Sequence, residues 1–230
     1  MYDYIALFYL LKCCLCVLSL YPITHTILFL NEQFRILNYN KRCYVVKNII
    51  KSSILFYLVI EFINSLMYRK TIWDSQYLHN VAGLYVSNDI IGLLIIPHLP
   101  ITTKCHHIMT SILVIYSFSI DFTQDNVGRW MLIYTYMSCL SFGVNAYLGL
   151  RFLITDGTSV TDIMIDYLRI FSFYIYLICC IINWSIHIFL IIDKLLFDYL
   201  TFGHIFYLIF LIPIIRDDIV LMTWLHTKYK

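Results

Sequence analysis

Apolar runs long enough to cross a lipid bilayer follow one another along almost the whole of this 230-residue chain. A helix needs about 20 mainly apolar residues to span the hydrocarbon core, and lipid admits only helices or closed barrels as spanning structures. The sequence predicts seven such helices, over roughly 9–30, 49–67, 79–96, 106–122, 130–153, 169–192 and 196–215. The predicted fold class is therefore all-α, a polytopic membrane protein with about seven transmembrane helices.

The composition excludes a soluble globular domain. The chain is 61% hydrophobic and 13% charged, whereas soluble domains have about 45–50% apolar and about 25% charged residues. The net charge is +2, and no stretch of Lys and Arg forms the basic patch that nucleic-acid binding needs. Most of the cysteines lie inside apolar runs, where cysteine acts as a small hydrophobic residue. We therefore expect no nucleic-acid partner and no metal site, and no cofactor is evident.

The distribution of basic residues predicts the orientation of the chain, because cytosolic loops carry an excess of Lys and Arg. Alternate connections on one side hold Arg35, Lys41, Arg42, Lys47, Lys104, Arg169, Arg216, Lys228 and Lys230. The other side holds only Arg69, Lys70, Arg129 and Lys194. This pattern predicts an integral, multi-pass protein with a luminal N-terminus and a cytosolic C-terminus.

Ionisable and strongly polar side chains inside the apolar runs are the first candidates for a functional site. A charge at the centre of a bilayer costs about 2.5–3.5 kcal/mol on insertion scales, so such residues usually face a cavity or a partner. The candidates are Glu61, Asp89, His106, His107, Asn145 and Arg151. Two adjacent imidazoles at the start of an apolar run have no obvious packing purpose, which favours a functional role for the histidine pair.

The fourth run carries its polar residues on one side of the predicted helix. His106, Thr110 and Ser117 are spaced i, i+4 and i+11, which places them on one face at helical periodicity. His107 and Ser111 form the adjacent row. The polar stripe therefore extends inward from the end of the helix that we assign to the cytosol.

The third and fifth runs carry similar stripes. The third-run stripe consists of Tyr85, Asp89 and Gly92, and the fifth-run stripe consists of Ser138, Asn145 and Gly149. We therefore predict that these three helices enclose a polar cavity that opens to the cytosol. The alternative is that the small polar side chains only join neighbouring helices, a role worth about 0.6 kcal/mol for each contact.

Three of these segments resemble the TLC-domain family, which includes ceramide synthases and translocating-chain-associated membrane proteins. HHIMTSILVIYSF (106–118) resembles the family's histidine signature, and YVSND (85–89) resembles the Tyr/Phe-x-x-x-Asp of the preceding helix. CLSFGVNAYLGLRFL (139–153) is similar to a later element with Ser, Phe, Asn and Arg. The resemblance implies a six-helix bundle enclosing a cavity within 39–230. The first transmembrane helix and the start of the basic cytosolic loop would precede it in 1–38.

This resemblance implies a protein that binds or handles a long-chain lipid, in membrane lipid homeostasis or sensing. The implied compartment is the endoplasmic reticulum or another internal membrane. The implied cavity-lining residues are Tyr85, Thr110, Ser111, Ser117, Asn145 and Arg151. Membrane lipids are the expected partners, and the chain could form a homo-oligomer.

Two other functions are compatible with the sequence. An acyl-CoA-dependent N-acyltransferase would use His106 or His107 as general base with Asp89 assisting, and acyl-CoA as substrate. The fifth run, however, contains no counterpart of the acidic cluster found in ceramide synthases. A haem-binding electron carrier would require ligands on facing helices, a role that only His187 and His204 could fill.

Overall fold

A computed structural model describes residues 2–67, 74–124, 126–154 and 159–227. Its helices are α1 (Tyr2–Leu28), α2 (Glu32–Ile36), α3 (Tyr39–Met67), α4 (Ser75–Ile95), α5 (Ile101–Ser117), α6 (Val127–Cys139), α7 (Phe142–Leu150), α8 (Ser159–Phe197) and α9 (Phe202–Thr227). Within the described residues there is no strand, so the all-α prediction is confirmed. Four residues used to orient the chain lie outside this part: Arg69, Lys70, Lys228 and Lys230.

Four of the helices are long and apolar enough to cross a membrane. They are α1, α3, α4 and α8, over Leu7–Leu28, Tyr39–Ser65, Ser75–Ile95 and Val160–Phe197. The shorter α5, α6 and α7 have 17, 13 and 9 residues, and α9 carries three charged residues in its second half. Large apolar side chains cover the outer surface, as on α8, where Phe171 is 58% and Phe189 is 66% exposed. Extended apolar surfaces of this kind mark contact with lipid or with another protein.

Several helices extend beyond the apolar runs that predicted them, and α3 and α9 are the two that bear on the site. The second run was predicted to begin at position 49, but α3 begins at Tyr39, where the Asn38 side chain accepts a hydrogen bond from the Lys41 amide. The seventh run was predicted to end at 215, but α9 continues to Thr227. Mean hydropathy falls where charged residues begin, but the helical backbone of α3 and α9 continues through charged residues whose side chains have partners in the fold. Lys47, predicted in a cytosolic loop, is therefore a buried residue of α3.

The fifth run is two helices rather than one. Between α6 and α7, the amides of Leu140 and Ser141 bond to carbonyls three residues earlier, at Met137 and Ser138. The Ser141 hydroxyl also donates to the Ser138 carbonyl. These tightened turns and the competing serine hydroxyl interrupt the α-helical ladder. The regular helix is consequently interrupted after Cys139, and residues 142–150 form a separate helix.

Consecutive long helices run antiparallel, so their charged ends meet at one end of the molecule. Lys51 in the first half of α3 contacts Asp89 in the second half of α4, and His106 in the first half of α5 contacts Asp217 in the second half of α9. In the order α3, α4, α5, α9, α8 and α7, each helix packs against the next, and α7 packs against α3. Helix α1 packs outside this ring, against α4 and α3.

Candidate functional site: a cavity between two charged walls

A cavity of about 510 Å³ lies between α3, α4, α5, α8, α9 and the α6–α7 pair. This volume is within the range of about 300–1,000 Å³ that small-molecule sites occupy. The exposed residues His98 and Pro100, in the connection between α4 and α5, lie at its mouth. Its apolar wall includes Met137, Val144, Leu148, Cys179 and Leu221. The cavity therefore combines an apolar surface with the charged helix ends described below.

The structure brings most of the predicted site residues to this cavity. Its lining includes Tyr85, Asp89, His106, His107, Asn145 and Arg151. Thr110 instead lines a small recess beside it, together with Tyr85 and His106. Ser111 and Ser117 do not line the cavity, and their hydroxyls donate to carbonyls of their own helix. A serine satisfied in this way needs no polar surroundings.

The two predicted glycine positions pack against α3 rather than facing the cavity. A Cβ added at Gly92 would lie 2.7 Å from Cε of Lys47. A Cβ added at Gly149 would lie 2.8 Å from Cδ1 of Ile49. Gly92 therefore makes room for the Lys47 side chain, and Gly149 lets α7 approach α3 closely.

Four residues from α3, α4 and α5 form what we call the cationic wall: Lys47, Lys51, Asp89 and His107. The Lys51 ammonium lies 2.8 Å from Oδ2 of Asp89, donates to the Tyr85 carbonyl and sits 4.3 Å from the centre of the Tyr85 ring. Nζ of Lys47 lies 2.8 Å from Nε2 of His107. Because lysine donates there, a neutral His107 carries its proton on Nδ1.

That Nδ1 atom faces Asp89 without a well-formed hydrogen bond. It lies 3.3 Å from Oδ1 of Asp89, within ion-pair distance, but neither atom has a hydrogen-bond partner among the described residues. Asp89 is 1% and His107 is 7% exposed. Buried polar atoms are nearly always satisfied, so unsatisfied ones on a cavity wall have capacity for a ligand or for water.

Two aspartates of α9, together with His106, form what we call the acidic wall. Oδ2 of Asp217 lies 3.4 Å from Nδ1 of His106, and Oδ1 accepts a hydrogen bond from the Thr103 hydroxyl. Asp218 accepts hydrogen bonds from the Tyr134 and Tyr176 hydroxyls. Both carboxylates are buried, at 9% and 6% exposure. In the part of the chain that the structure describes, no hydrogen bond engages Nε2 of His106.

The histidine pair therefore joins the two walls. Successive residues of a helix point about 100° apart, and the two imidazole centres are 5.5 Å apart with their planes at 85°. His107 contacts Lys47 in the cationic wall, and His106 contacts Asp217 in the acidic wall. The adjacency of the two histidines thus reflects two different partners rather than two ligands of one group.

Arg151 lines the cavity and is surrounded by aromatic rings. Its guanidinium carbon is 4.6 Å from the centre of Phe152 and 4.7 Å from that of Trp224. Tyr147 and Tyr44 lie 5.8 and 6.0 Å away. Cation–π contacts of this kind hold the guanidinium in place while its charge remains at the cavity.

Sequence reasoning missed three of the four charged residues that α3 and α9 contribute to the two walls, and misplaced the fourth. Lys51, Asp217 and Asp218 were not considered, and Lys47 was assigned to a loop. The spacing Tyr44, Lys47, Asn48 and Lys51 is i, i+3, i+4 and i+7, a polar helical stripe that indicated α3 before its hydropathy did. For α9 no comparable periodicity exists, since its acidic residues are adjacent.

The remaining candidates lie away from the cavity. Glu61, His187 and His204 are not among its lining residues. Nδ1 of His187 lies 2.8 Å from the Asn183 carbonyl, and Nε2 lies 2.9 Å from the Tyr207 hydroxyl. Haem ligation by His187 would therefore break an existing contact. Among the described residues, no group of three His, Cys, Asp or Glu side chains is arranged to hold a metal ion.

Comparison of the chain with models of known families, with characterised proteins and with solved structures gave no match. The resemblance to the TLC-domain family thus depends on residues 85–89, 106–118 and 139–153 alone.

Proposed function

We propose that this chain is a multi-pass membrane protein of the TLC type that binds a long-chain lipid in the cavity. The observation that carries the proposal is a single cavity with charged walls beside an apolar wall. The headgroup would lie between the cationic and acidic walls, and the hydrocarbon chain would follow Met137, Val144 and Leu148. In this proposal α3, α4, α5, α6–α7, α8 and α9 form the six-helix bundle, and α1 is the seventh span.

The proposed orientation puts the mouth of the cavity in the cytosol. The start of α3, the α4–α5 connection and the end of α9 all lie on the side that is richer in Lys and Arg, which supports a cytosolic mouth. The N-terminus would then be luminal, and the membrane would be that of the endoplasmic reticulum or another internal compartment. A lipid could enter from the cytosolic leaflet with its headgroup close to the charged walls.

Blocking the cavity tests the proposal directly. We expect the protein purified in mild detergent to carry a co-purified lipid, detected by native mass spectrometry, and Ser138→Trp to lose most of it because Ser138 lines the cavity. Ser53→Trp is the matched control, since Ser53 is exposed on α3 and is not a lining residue. Equal lipid content in both variants would place the lipid elsewhere and contradict the proposal.

A second function, acyl transfer, is favoured by one specific observation. Among the described residues no hydrogen bond engages Nε2 of His106, and Asp217 lies behind the ring at Nδ1, which is the arrangement of an oriented general base. A lipid amine would attack the thioester carbon of an acyl-CoA. The C–N bond would form, the C–S bond would break, and the proton would pass from the amine through His106 to the departing thiolate.

Removal of His106 separates acyl transfer from binding alone. If the protein transfers acyl groups, we expect His106→Ala to lower the rate of N-acylation of a sphingoid base by about 10²–10⁴-fold. His107→Ala should lower the rate less, because Nε2 of His107 already accepts a hydrogen bond from the Lys47 ammonium. The measurement is product formation from labelled acyl-CoA by purified protein. Wild-type protein that retains lipid but forms no product would leave only the binding function.

A further inference from the structure

The two walls of the cavity carry net charges of opposite sign. The cationic wall contains two lysines and one aspartate, so with a neutral His107 it carries one excess positive charge. The acidic wall contains two aspartates and, with a neutral His106, carries two negative charges. Arg151, which also lines the cavity, makes the cavity neutral as a whole, with three basic side chains and three carboxylates. Opposite charges thus face one cavity without being paired across it.

Both walls also have unused hydrogen-bonding capacity. The Lys47 ammonium has three donors and bonds to His107, its only hydrogen-bond partner among the described residues. Oδ1 of Asp89 and Nδ1 of His107 have no hydrogen-bond partner in that same set, and both residues are more than nine-tenths buried. On the acidic wall, the polar contacts of Asp217 with described residues are a long hydrogen bond from Thr103, at 3.3 Å, and the 3.4 Å contact with His106.

An uncompensated charge in a buried site is costly unless a partner supplies the opposite charge. A purely anionic headgroup would neutralise the cationic wall but would face two carboxylates. A purely cationic headgroup would satisfy the acidic wall but would face Lys47. Only a headgroup that carries both charges complements both walls at once.

We infer that the cavity selects a lipid with a zwitterionic headgroup, its anionic phosphate or carboxylate at Lys47 and its cationic ammonium at Asp217. This inference rests on the proposed function and specifies the class of lipid. The adjacent histidines, with ring centres 5.5 Å apart, contact both residues: His107 contacts Lys47 and His106 contacts Asp217. Asp218 is held by two tyrosine hydroxyls and adds to the negative potential without binding the ligand itself.

The first experiment compares single-chain lipids whose hydrocarbon chains have the same length and whose headgroups differ in charge. Lysophosphatidylcholine is zwitterionic, lysophosphatidic acid anionic, octadecylamine cationic and monoacylglycerol neutral. Binding to the purified wild-type protein is measured by native mass spectrometry with lipids in competition. We expect the zwitterionic lipid to bind at least about tenfold more tightly than the others, the effect of one good charge-assisted contact.

The second experiment changes one wall at a time. Lys47→Met should shift the preference about tenfold towards the cationic lipid, and Asp217→Asn should shift it about tenfold towards the anionic lipid. The matched controls are Lys194→Met and Asp198→Asn, which alter an ion pair at the opposite end of α8 and should change nothing. Size-exclusion chromatography and thermal melting establish that each variant is folded.

The outcomes distinguish the inference from the proposed function. If the wild type binds all four lipids equally, or if both wall variants weaken all four lipids equally, the zwitterion inference is wrong while lipid binding stands. If no lipid binds to the wild type, and Ser138→Trp changes nothing, the proposed function fails as well. Opposite shifts for the two wall variants support the inference.

Discussion

Replacing Asp89 with alanine should lower the free energy of unfolding by about 3–5 kcal/mol, the cost of breaking a buried ion pair from one side. The Lys51 ammonium would remain in place with its side chain 8% exposed and without the carboxylate 2.8 Å away. The Tyr85 carbonyl and ring would be its remaining contacts. Denaturant titration in detergent micelles, followed by tryptophan fluorescence, measures the change.

The double variant Lys51→Met/Asp89→Leu separates the cost of an orphaned charge from the value of the pair. Apolar replacement of a complete buried ion pair is often neutral or stabilising, so the double variant should recover most of the stability lost by Asp89→Ala. The free energy of unfolding of Asp89→Asn should lie between those of Asp89→Ala and the double variant, since the amide still accepts a hydrogen bond from Lys51 but carries no charge. A double variant as unstable as Asp89→Ala would mean that Asp89 stabilises the fold through packing rather than through charge.

The sequence predicted the cavity better than it predicted the charges that surround it. Asp89, His106 and His107 interrupt apolar runs, so hydropathy marks them as exceptional wherever the helices pack. Helical periodicity then places them on faces that can meet. Lys47 was misplaced because the second run was predicted to begin at 49, so the start of α3 was mistaken for a loop. Lys51 lies two residues inside that run and was not considered.

The break between α6 and α7 was unpredictable for a different reason. The fifth run contains no Pro. Its interruption depends on hydrogen bonds of Ser138 and Ser141 that compete weakly with the helical ladder. The predicted stripe of Ser138, Asn145 and Gly149 assumed one straight helix. In the folded protein the first two residues line the cavity, whereas Gly149 contacts α3.

The acidic wall shows the limit of reasoning from one helix at a time. Asp217 and Asp218 follow Arg216 near the end of an apolar run, where charged residues usually mark the return to water. They are buried because other helices supply their partners: α5 supplies Thr103 and His106, α6 supplies Tyr134 and α8 supplies Tyr176. Such pairings span long sequence separations, and no local pattern encodes them.

After Asp89, Asp218 should therefore be the polar residue whose replacement lowers the free energy of unfolding most. Asp218→Ala would leave the hydroxyls of Tyr134 and Tyr176 buried without their acceptor, and each unsatisfied hydroxyl costs about 1–3 kcal/mol. We expect the free energy of unfolding to fall by about 2–5 kcal/mol. The exposed Asp198→Ala should change it by less than about 0.5 kcal/mol, as for most surface substitutions.

The tyrosines provide the test of this explanation, because their hydroxyls can be removed while their rings remain. In the Asp218→Ala background, Tyr134→Phe and Tyr176→Phe together should restore stability, since no unsatisfied donor would then be left. The same two changes in the wild type should instead destabilise, because they strip a buried carboxylate of two charge-assisted hydrogen bonds. A sign reversal between the two backgrounds is expected only if the hydroxyls and the carboxylate act as one unit. Additive effects in the same direction would mean that Asp218 is buried for a reason other than these two hydrogen bonds.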